Sequence, residues 1–512
     1  MRRLRITVVD LTTERPTRAL YARLMNANLA SIMPQVIATW CEQAGHDVNY
    51  VCYTGFEDLE KEVLGPADVV FIGAFTQAAH TAYAISNLHR SRGAVTVLGG
   101  PHARCYPQDS ARHFDYVMGF TTREMVEDVL REREPRPDGG VQVSAPRQPQ
   151  HLPGVEERWK FIEATLDKTP VLKIIPMIGS LGCPYTCAFC IDSTVPYQPL
   201  GFDQMKSDLR FILTKMKHPR VGWHDPNFGV RFDDYLGAIE EVVPPGSIDF
   251  MAESSLSLLS EPHLQRLQKN GFKVILPGIE SWFALGNKAK TGRDVGMEKV
   301  QRVADHINMV MRYIPYVQTN FVLGLDTDEG DEPFELTKRF VDLAPGAFPV
   351  FSLLSAFGRA APLNLTLQRE GRVLPFPFHF LDASQSMNVV PRNYPWQGFY
   401  ERLVDLEEYA YSASRIGRRF LANRGTIPKL MNVVRGISSE RMDRVRHHAR
   451  IRDLLRADRE VHRFHNRETV SLPAFYKHRI RQDLGALWEA LPDGGLHHDH
   501  NAYLRSEATS AA

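Results

Sequence analysis

The hydrophobic positions of this chain come in two rhythms that take turns. Over residues 1 to about 132, short runs rich in β-branched residues alternate with stretches whose apolar positions recur every three or four residues. The runs at 5–11, 49–54, 67–74, 95–99 and 116–119 predict strands, and the stretches at 28–44, 56–64, 77–90 and 122–131 predict amphipathic helices. Strands alternating with helices call for a parallel, doubly wound α/β sheet with right-handed crossovers. Periodicity lapses between 133 and 158, where Pro, Gly and Gln predominate, and this stretch predicts a linker.

The alternation resumes near Trp159. Strands at 171–179, 221–224, 248–252, 274–277, 316–323 and 349–355 are separated by helices at 204–217, 232–243, 261–270, 297–311 and 332–343. Six such units predict a second α/β domain over 159–365 and resemble a partial (β/α)6 barrel, with polar residues gathered after each strand, on the face where barrel active sites lie. Residues 366–512 predict a mostly helical cap. Its segments Leu374-Pro-Phe-Pro-Phe-His-Phe-Leu381 and Asn388-Val-Val-Pro-Arg-Asn-Tyr-Pro-Trp396 suit covering loops that shape a substrate pocket. A charge-laced stretch at 441–467 predicts an exposed helix, and the tail from Asp493, with His497-His-Asp-His500, predicts disorder.

Composition narrows the classes. The chain has 512 residues, 43% hydrophobic, enough for more than one buried core. A net charge of +1 argues against a nucleic-acid partner. No apolar run approaches a membrane span, so no membrane partner is expected, and the basic start lacks the apolar core of a signal peptide.

Three of the six cysteines fall within eight positions, in Gly182-Cys183-Pro184-Tyr185-Thr186-Cys187-Ala188-Phe189-Cys190. Free cysteines are ordinarily scattered, as Cys41, Cys52 and Cys105 are. Closely spaced thiols in a reducing compartment read as metal ligands rather than disulfides. No fourth ligand for a structural zinc lies nearby. A cubane iron–sulfur cluster has four irons, so three thiolates leave one open to another ligand. Phe189 offers an apolar wall beside it.

This spacing, followed by six β/α units, resembles the radical S-adenosylmethionine (SAM) enzymes. The resemblance implies a 4Fe–4S cluster on Cys183, Cys187 and Cys190 that binds and cleaves SAM to a 5′-deoxyadenosyl radical. It implies SAM contacts at Phe189, at Glu253 and Ser255 after the third barrel strand, at Glu280 and Ser281 after the fourth, and at Gly324 after the fifth. Asp225 and Glu280 are the candidate catalytic residues. The N-terminal domain, with Leu98-Gly-Gly-Pro-His102 after its fourth strand, resembles the cobalamin-binding domain of cobalamin-dependent radical SAM enzymes. That implies cobalamin contacts at Gly73, Thr76, Gly99 and Gly100. The Asp-x-His-x-x-Gly loop with which many such domains ligate cobalt is absent; the first histidine is His46.

The implied activity is methyl transfer to an unactivated carbon of a small-molecule or natural-product substrate. Oxidative cyclisation or rearrangement, or a domain that has lost cobalamin, are the alternatives. An electron donor such as flavodoxin or ferredoxin is the expected partner, and the cytoplasm the expected location.

Overall fold

In the computed structural model, which describes residues 2–503, β1 (Arg5–Leu11) is flanked in parallel by β2 (Asp47–Tyr53) and β3 (Val69–Ala74). β4 (Val95–Gly99), β5 (Tyr116–Met118) and β6 (Val141–Val143) extend the sheet in the order β2-β1-β3-β4-β5-β6. Helices cover both faces, so the strands are near-continuous buried runs such as Val69-Val70-Phe71-Ile72 rather than alternating ones. Strand order reverses between β1 and β3, which opens a crevice at their carboxyl ends. Register there sets Asp10 beside Gly73 and Gly73 beside Gly99.

The stretch expected to be a linker contributes β6, whose three residues are too few for a periodic signal, and the start of helix Val155–Leu166. Past that helix, β7 (Ile174–Met177) begins the second sheet. A small antiparallel pair, β8 (Ser180–Leu181) with β9 (Gln198–Pro199), closes the base of the cysteine loop. β10 (Arg220–Trp223), β11 (Asp249–Glu253), β12 (Phe272–Leu276), β13 (Gly278–Glu280), β14 (Tyr316–Leu323) and β15 (Phe348–Leu353) follow, all in parallel ladders. The sheet runs β7-β10-β11-β12-β14-β15, with β13 prolonging β12 along β14. Pro277 separates β12 from β13, since it has no N–H to donate to a ladder. Among the described residues no ladder joins β15 to β7, so the barrel is open on that side.

Two expectations for the cap are corrected. Helix Ser439–Ala457 is not an exposed, solvated rod; it buries Val445, His447, His448, Ile451 and Leu454 against helix Trp396–Ala410. His448 Nδ1 lies 2.8 Å from Glu407, a buried pairing that charge periodicity does not reveal. Nor is the tail from Asp493 unstructured up to residue 503. Arg112 donates to the His497 carbonyl at 3.0 Å, and the His498 ring stacks on Phe378 at 4.2 Å. The rest of that tail lies outside the described residues. Among those described, no helix is long and apolar enough to cross a membrane.

Candidate active site

The cysteine loop leaves β8 through Gly182, whose φ is +69°. A Cβ there would fall 2.3 Å from the Pro196 carbonyl oxygen, so only glycine makes the turn. Cys183 N–H donates to the Val195 carbonyl, and Cys190 N–H to the Cys187 carbonyl at 2.8 Å. Tyr185 ties the loop to the end of β11: its hydroxyl lies 2.5 Å from Ser257 Oγ and 3.4 Å from Ser255 Oγ. Ala188 accepts from Leu363 N–H at 2.9 Å. All three thiols are free, and burial pushes that of Cys190 up to about 11. Among the described residues no three side chains are gathered tightly enough for a single metal ion. A cubane asks for something else, because each thiolate binds a different iron and the sulfurs stand further apart.

Beside the loop, Glu280 adopts a left-handed φ of +67°, an unusual conformation for a side chain other than glycine. Its carboxylate accepts from Lys288 Nζ. A Cβ on Gly278 would fall 2.1 Å from Glu280 Oε1, so that glycine leaves room for the pair. Burial works against the charge on Lys288, but Glu280 and then Cys187 and Cys190 outweigh it and hold the ammonium above its ordinary value. Glu253, at the end of β11, is exposed to solvent but surrounded by protein. That enclosure raises its carboxyl, with Lys288 opposing.

Other predicted residues have different duties. Asp225 is 1% exposed and fully engaged: it accepts from Gly179 N–H at 2.9 Å, Ser180 Oγ at 2.6 Å and Tyr235 OH at 2.8 Å. It braces the entry to the cysteine loop rather than facing a reactant, which corrects its catalytic assignment. Ser281 is buried, and its hydroxyl accepts from Phe283 N–H at 3.1 Å. Ser255 N–H donates to Asn227 Oδ1 at 2.9 Å. Gly324, at φ +86°, is packed under Met387 and Phe399, whose nearest atoms lie 3.0 and 3.1 Å from where its Cβ would stand. Phe189 is half-buried against the barrel core.

A cavity of about 280 Å³ lies between the two sheets, lined by Gly73, Gly99 and Gly100 from the first domain and by Ile178 and His224 from the second. Glycine has two separate uses here. At Gly100, φ is +89° and a Cβ would stand 2.9 Å from the Ala74 carbonyl oxygen; at Gly99 a Cβ would meet nothing within 4 Å. Gly99 therefore leaves open space, a floor on which a large flat ligand can rest. Thr76 does not line this cavity; it is buried at the start of the turn Thr76–Ala78. His224 caps β10 from the barrel side, where enclosure lowers its imidazole to about 4. One cavity thus joins the crevice of the first sheet to the mouth of the second.

The comparisons with known proteins agree with this geometry. No family model matches the chain. Bacteriochlorophyllide d C-12(1)-methyltransferase of Chlorobaculum tepidum is 22% identical over 362 residues, which cover 69% of this chain and 76% of the relative. Among solved structures, the radical SAM methyltransferase TsrM of Kitasatospora setae, with cobalamin and a 4Fe–4S cluster bound, superposes with a TM-score of 0.51 at 13% identity, covering 87% of this chain and 99% of that one. The cobalamin-dependent SAM radical enzyme OxsB, with aqua-cobalamin and SAM bound, gives 0.53 at 12% identity, covering 96% of this chain and 84% of that one. The chain has the fold of the cobalamin-dependent radical SAM enzymes.

Four side chains around this site are not singled out by the sequence. Lys288 sits on the short helix Gly286–Ala289, eight residues past its partner Glu280, which ends β13; the two lie in different elements, so no single period relates them. His224 and Tyr185 stand next to or within motifs already noticed, and only the packed fold shows which way they face. Arg104 donates to Asp192 Oδ1 at 3.1 Å and to the Ile191 carbonyl at 2.8 Å, holding the end of the cysteine loop from the first domain. Nothing in the sequence links those positions.

Proposed function

We propose that this protein is a cobalamin-dependent radical SAM methyltransferase acting on an unactivated carbon of a small molecule. The observation that carries the reading is the shared cavity: its floor is the open Gly99 edge of the first domain, and its far wall belongs to the barrel that bears the cysteine loop. In this reading, Cys183, Cys187 and Cys190 hold a 4Fe–4S cluster, and cobalamin rests on Gly73, Gly99 and Gly100 with no histidine offered from the loop after β1. Bound together, these groups and SAM supply a 5′-deoxyadenosyl radical and a transferable methyl group.

The protein's own side chains position and shield. Asp225 braces the entry to the cysteine loop, and Tyr185 ties the loop to the segment after β11. Glu280, already matched to one ammonium by Lys288, offers its carboxylate to the ammonium of SAM, and Glu253 stands near the same pair. Phe189 keeps water from the open iron, because a radical in contact with solvent is quenched. Enclosure lowers the His224 imidazole, which disfavours a cation on the wall opposite cobalamin. An intracellular electron donor such as flavodoxin or ferredoxin, reached in the cytoplasm, completes the scheme.

The test is anaerobic reconstitution with iron, sulfide and hydroxocobalamin, followed by SAM carrying a labelled methyl group. Retention of cobalamin through gel filtration and appearance of the label on it are expected. A folded protein that retains no cobalamin overturns the reading. Oxidative cyclisation, the second chemistry such a site allows, would form 5′-deoxyadenosine with substrate yet leave the product unlabelled.

A further inference from the structure

The helical hairpin formed by Ala413–Ala422 and Thr426–Ile437 carries a surface that the proposed reaction does not use. Ile427, Leu430, Val434 and Ile437 recur at intervals of three and four, which sets them within an arc of about 80° on one helix face. With Leu421 on the preceding helix they are between 39% and 77% exposed. These five make up a large share of the exposed large hydrophobics among the described residues, and Leu20 adds to them beside Tyr21, which lies close to Arg435. Scattered exposed apolar residues are ordinary; a stripe along one helix is not.

Charge says what covers the stripe. From 413 to 437 there are six basic side chains, Arg415, Arg418, Arg419, Arg424, Lys429 and Arg435, and no acidic one. Arg419 and Arg435 turn inward: Arg419 donates to the Ala347 carbonyl and Arg435 to Tyr316 OH. Arg415 and Arg418 share Asp342. Arg424 and Lys429 flank the stripe with no ion pair among the described residues. A second copy docked here by two-fold symmetry would set one acid-free basic hairpin against another. An apolar stripe rimmed by unpaired cations instead complements an anionic lipid surface, into which apolar side chains sink while cations meet the headgroups.

We infer that this hairpin docks the protein peripherally on anionic membranes. The absence of a spanning segment argued against a membrane partner, but spanning needs a long apolar run, whereas docking needs only one helix face, which folding alone exposes. The hairpin is anchored at the amino ends of the barrel strands: Asn423 donates to the Gly346 carbonyl ahead of β15, and Arg435 contacts Tyr316 at the start of β14. Docking there leaves the carboxyl ends of the barrel, with the cysteine loop, facing away from the bilayer and open to partners.

The full chain is mixed with vesicles of phosphatidylcholine alone or containing phosphatidylglycerol, and bound protein is measured by sedimentation. Binding to the anionic vesicles, weakened by salt, is expected. The double variant Leu430→Glu/Val434→Glu is expected to lower the partition coefficient by about tenfold or more, with a melting temperature lowered by no more than a few degrees because the side chains are already 54% and 39% exposed. Arg424→Glu/Lys429→Glu should weaken binding to anionic vesicles alone. No binding to anionic vesicles overturns the inference. So does a concentration-dependent dimer, seen by light scattering, that the Leu430→Glu/Val434→Glu variant dissolves.

Discussion

Arg104 reaches from the first domain to Asp192, two residues beyond the last cysteine of the loop, at 3.1 Å. Asp192 N–H in turn lies 3.4 Å from Cys190 Sγ, so a guanidinium beside the cavity is linked through Asp192 to the last thiol of the loop. Because both side chains keep partial solvent access, the charge-assisted pair is worth only about 1–2 kcal/mol. Arg104→Ala should lower the melting temperature modestly and reduce iron loading at limiting iron. A variant that loads iron like the wild type would show the contact to be incidental to the loop.

The two adjacent glycines of the first domain should separate fold from ligand. Gly100→Ala forces a Cβ towards the Ala74 carbonyl at a positive φ and should cost about 1–3 kcal/mol of stability. Gly99→Val sets a Cβ where no neighbour lies within 4 Å, so it should lose less stability than Gly100→Ala. It nevertheless fills the floor of the cavity, and cobalamin affinity, followed by absorbance titration, should drop. Wild-type affinity in Gly99→Val would remove cobalamin from this edge.

Glu280 and Lys288 make a second discriminating pair. If Glu280 receives the ammonium of SAM, Glu280→Ala should weaken SAM binding by about 1.5–3 kcal/mol in calorimetry. Lys288→Met, which leaves that carboxylate in place, should cost less. Equal losses would mean that Glu280 acts only by holding Lys288.

Replacing Cys183, Cys187 and Cys190 together by alanine should abolish iron binding and reductive SAM cleavage while leaving cobalamin retention intact, since the cavity floor belongs to the other domain. Iron retained at wild-type stoichiometry would place the cluster elsewhere.

Acid should loosen the contact between the first domain and the cap. His80, His102 and His113 lie buried, and His498 half-buried, around Tyr83 and Phe378, near Asp109, Arg112 and the His379–Asp483 pair. Burial first, and neighbouring imidazoles second, lower His102 and His498 to about 3; burial and then Arg112 do the same to His113. These groups are neutral when folded and bind protons readily only when unfolded, from an ordinary value of 6.5. Stability should therefore be full above about pH 6.5 and fall as pH drops towards 3, by about 2 kcal/mol per imidazole at pH 5. Chemical denaturation across pH checks this, and His498→Phe should blunt the slope. A stability that does not change between pH 7 and 5 would contradict it.

The alternation of strand and helix, the division into a first sheet and a barrel, and the cysteine loop were legible in the chain itself, because each rests on neighbours in sequence. A buried parallel strand must be a short apolar run, a crossover helix must be amphipathic, and three thiols for one cluster can sit on one loop. What the sequence could not determine depends on groups far apart along it. Asp225 reads as a catalytic carboxylate until Gly179, Ser180 and Tyr235 are seen to consume its oxygens. Gly73, Gly99 and Gly324 look alike in one dimension. In three, Pro34 crowds the first, open cavity faces the second, and Met387 and Phe399 pack the third. The helix 439–457 carries the charges of a solvated surface, yet burial of its apolar side chains against Trp396–Ala410 and the His448–Glu407 pairing place it inside. Local pattern states what an element can be; only packing decides which of its faces meets a ligand, a neighbour or water.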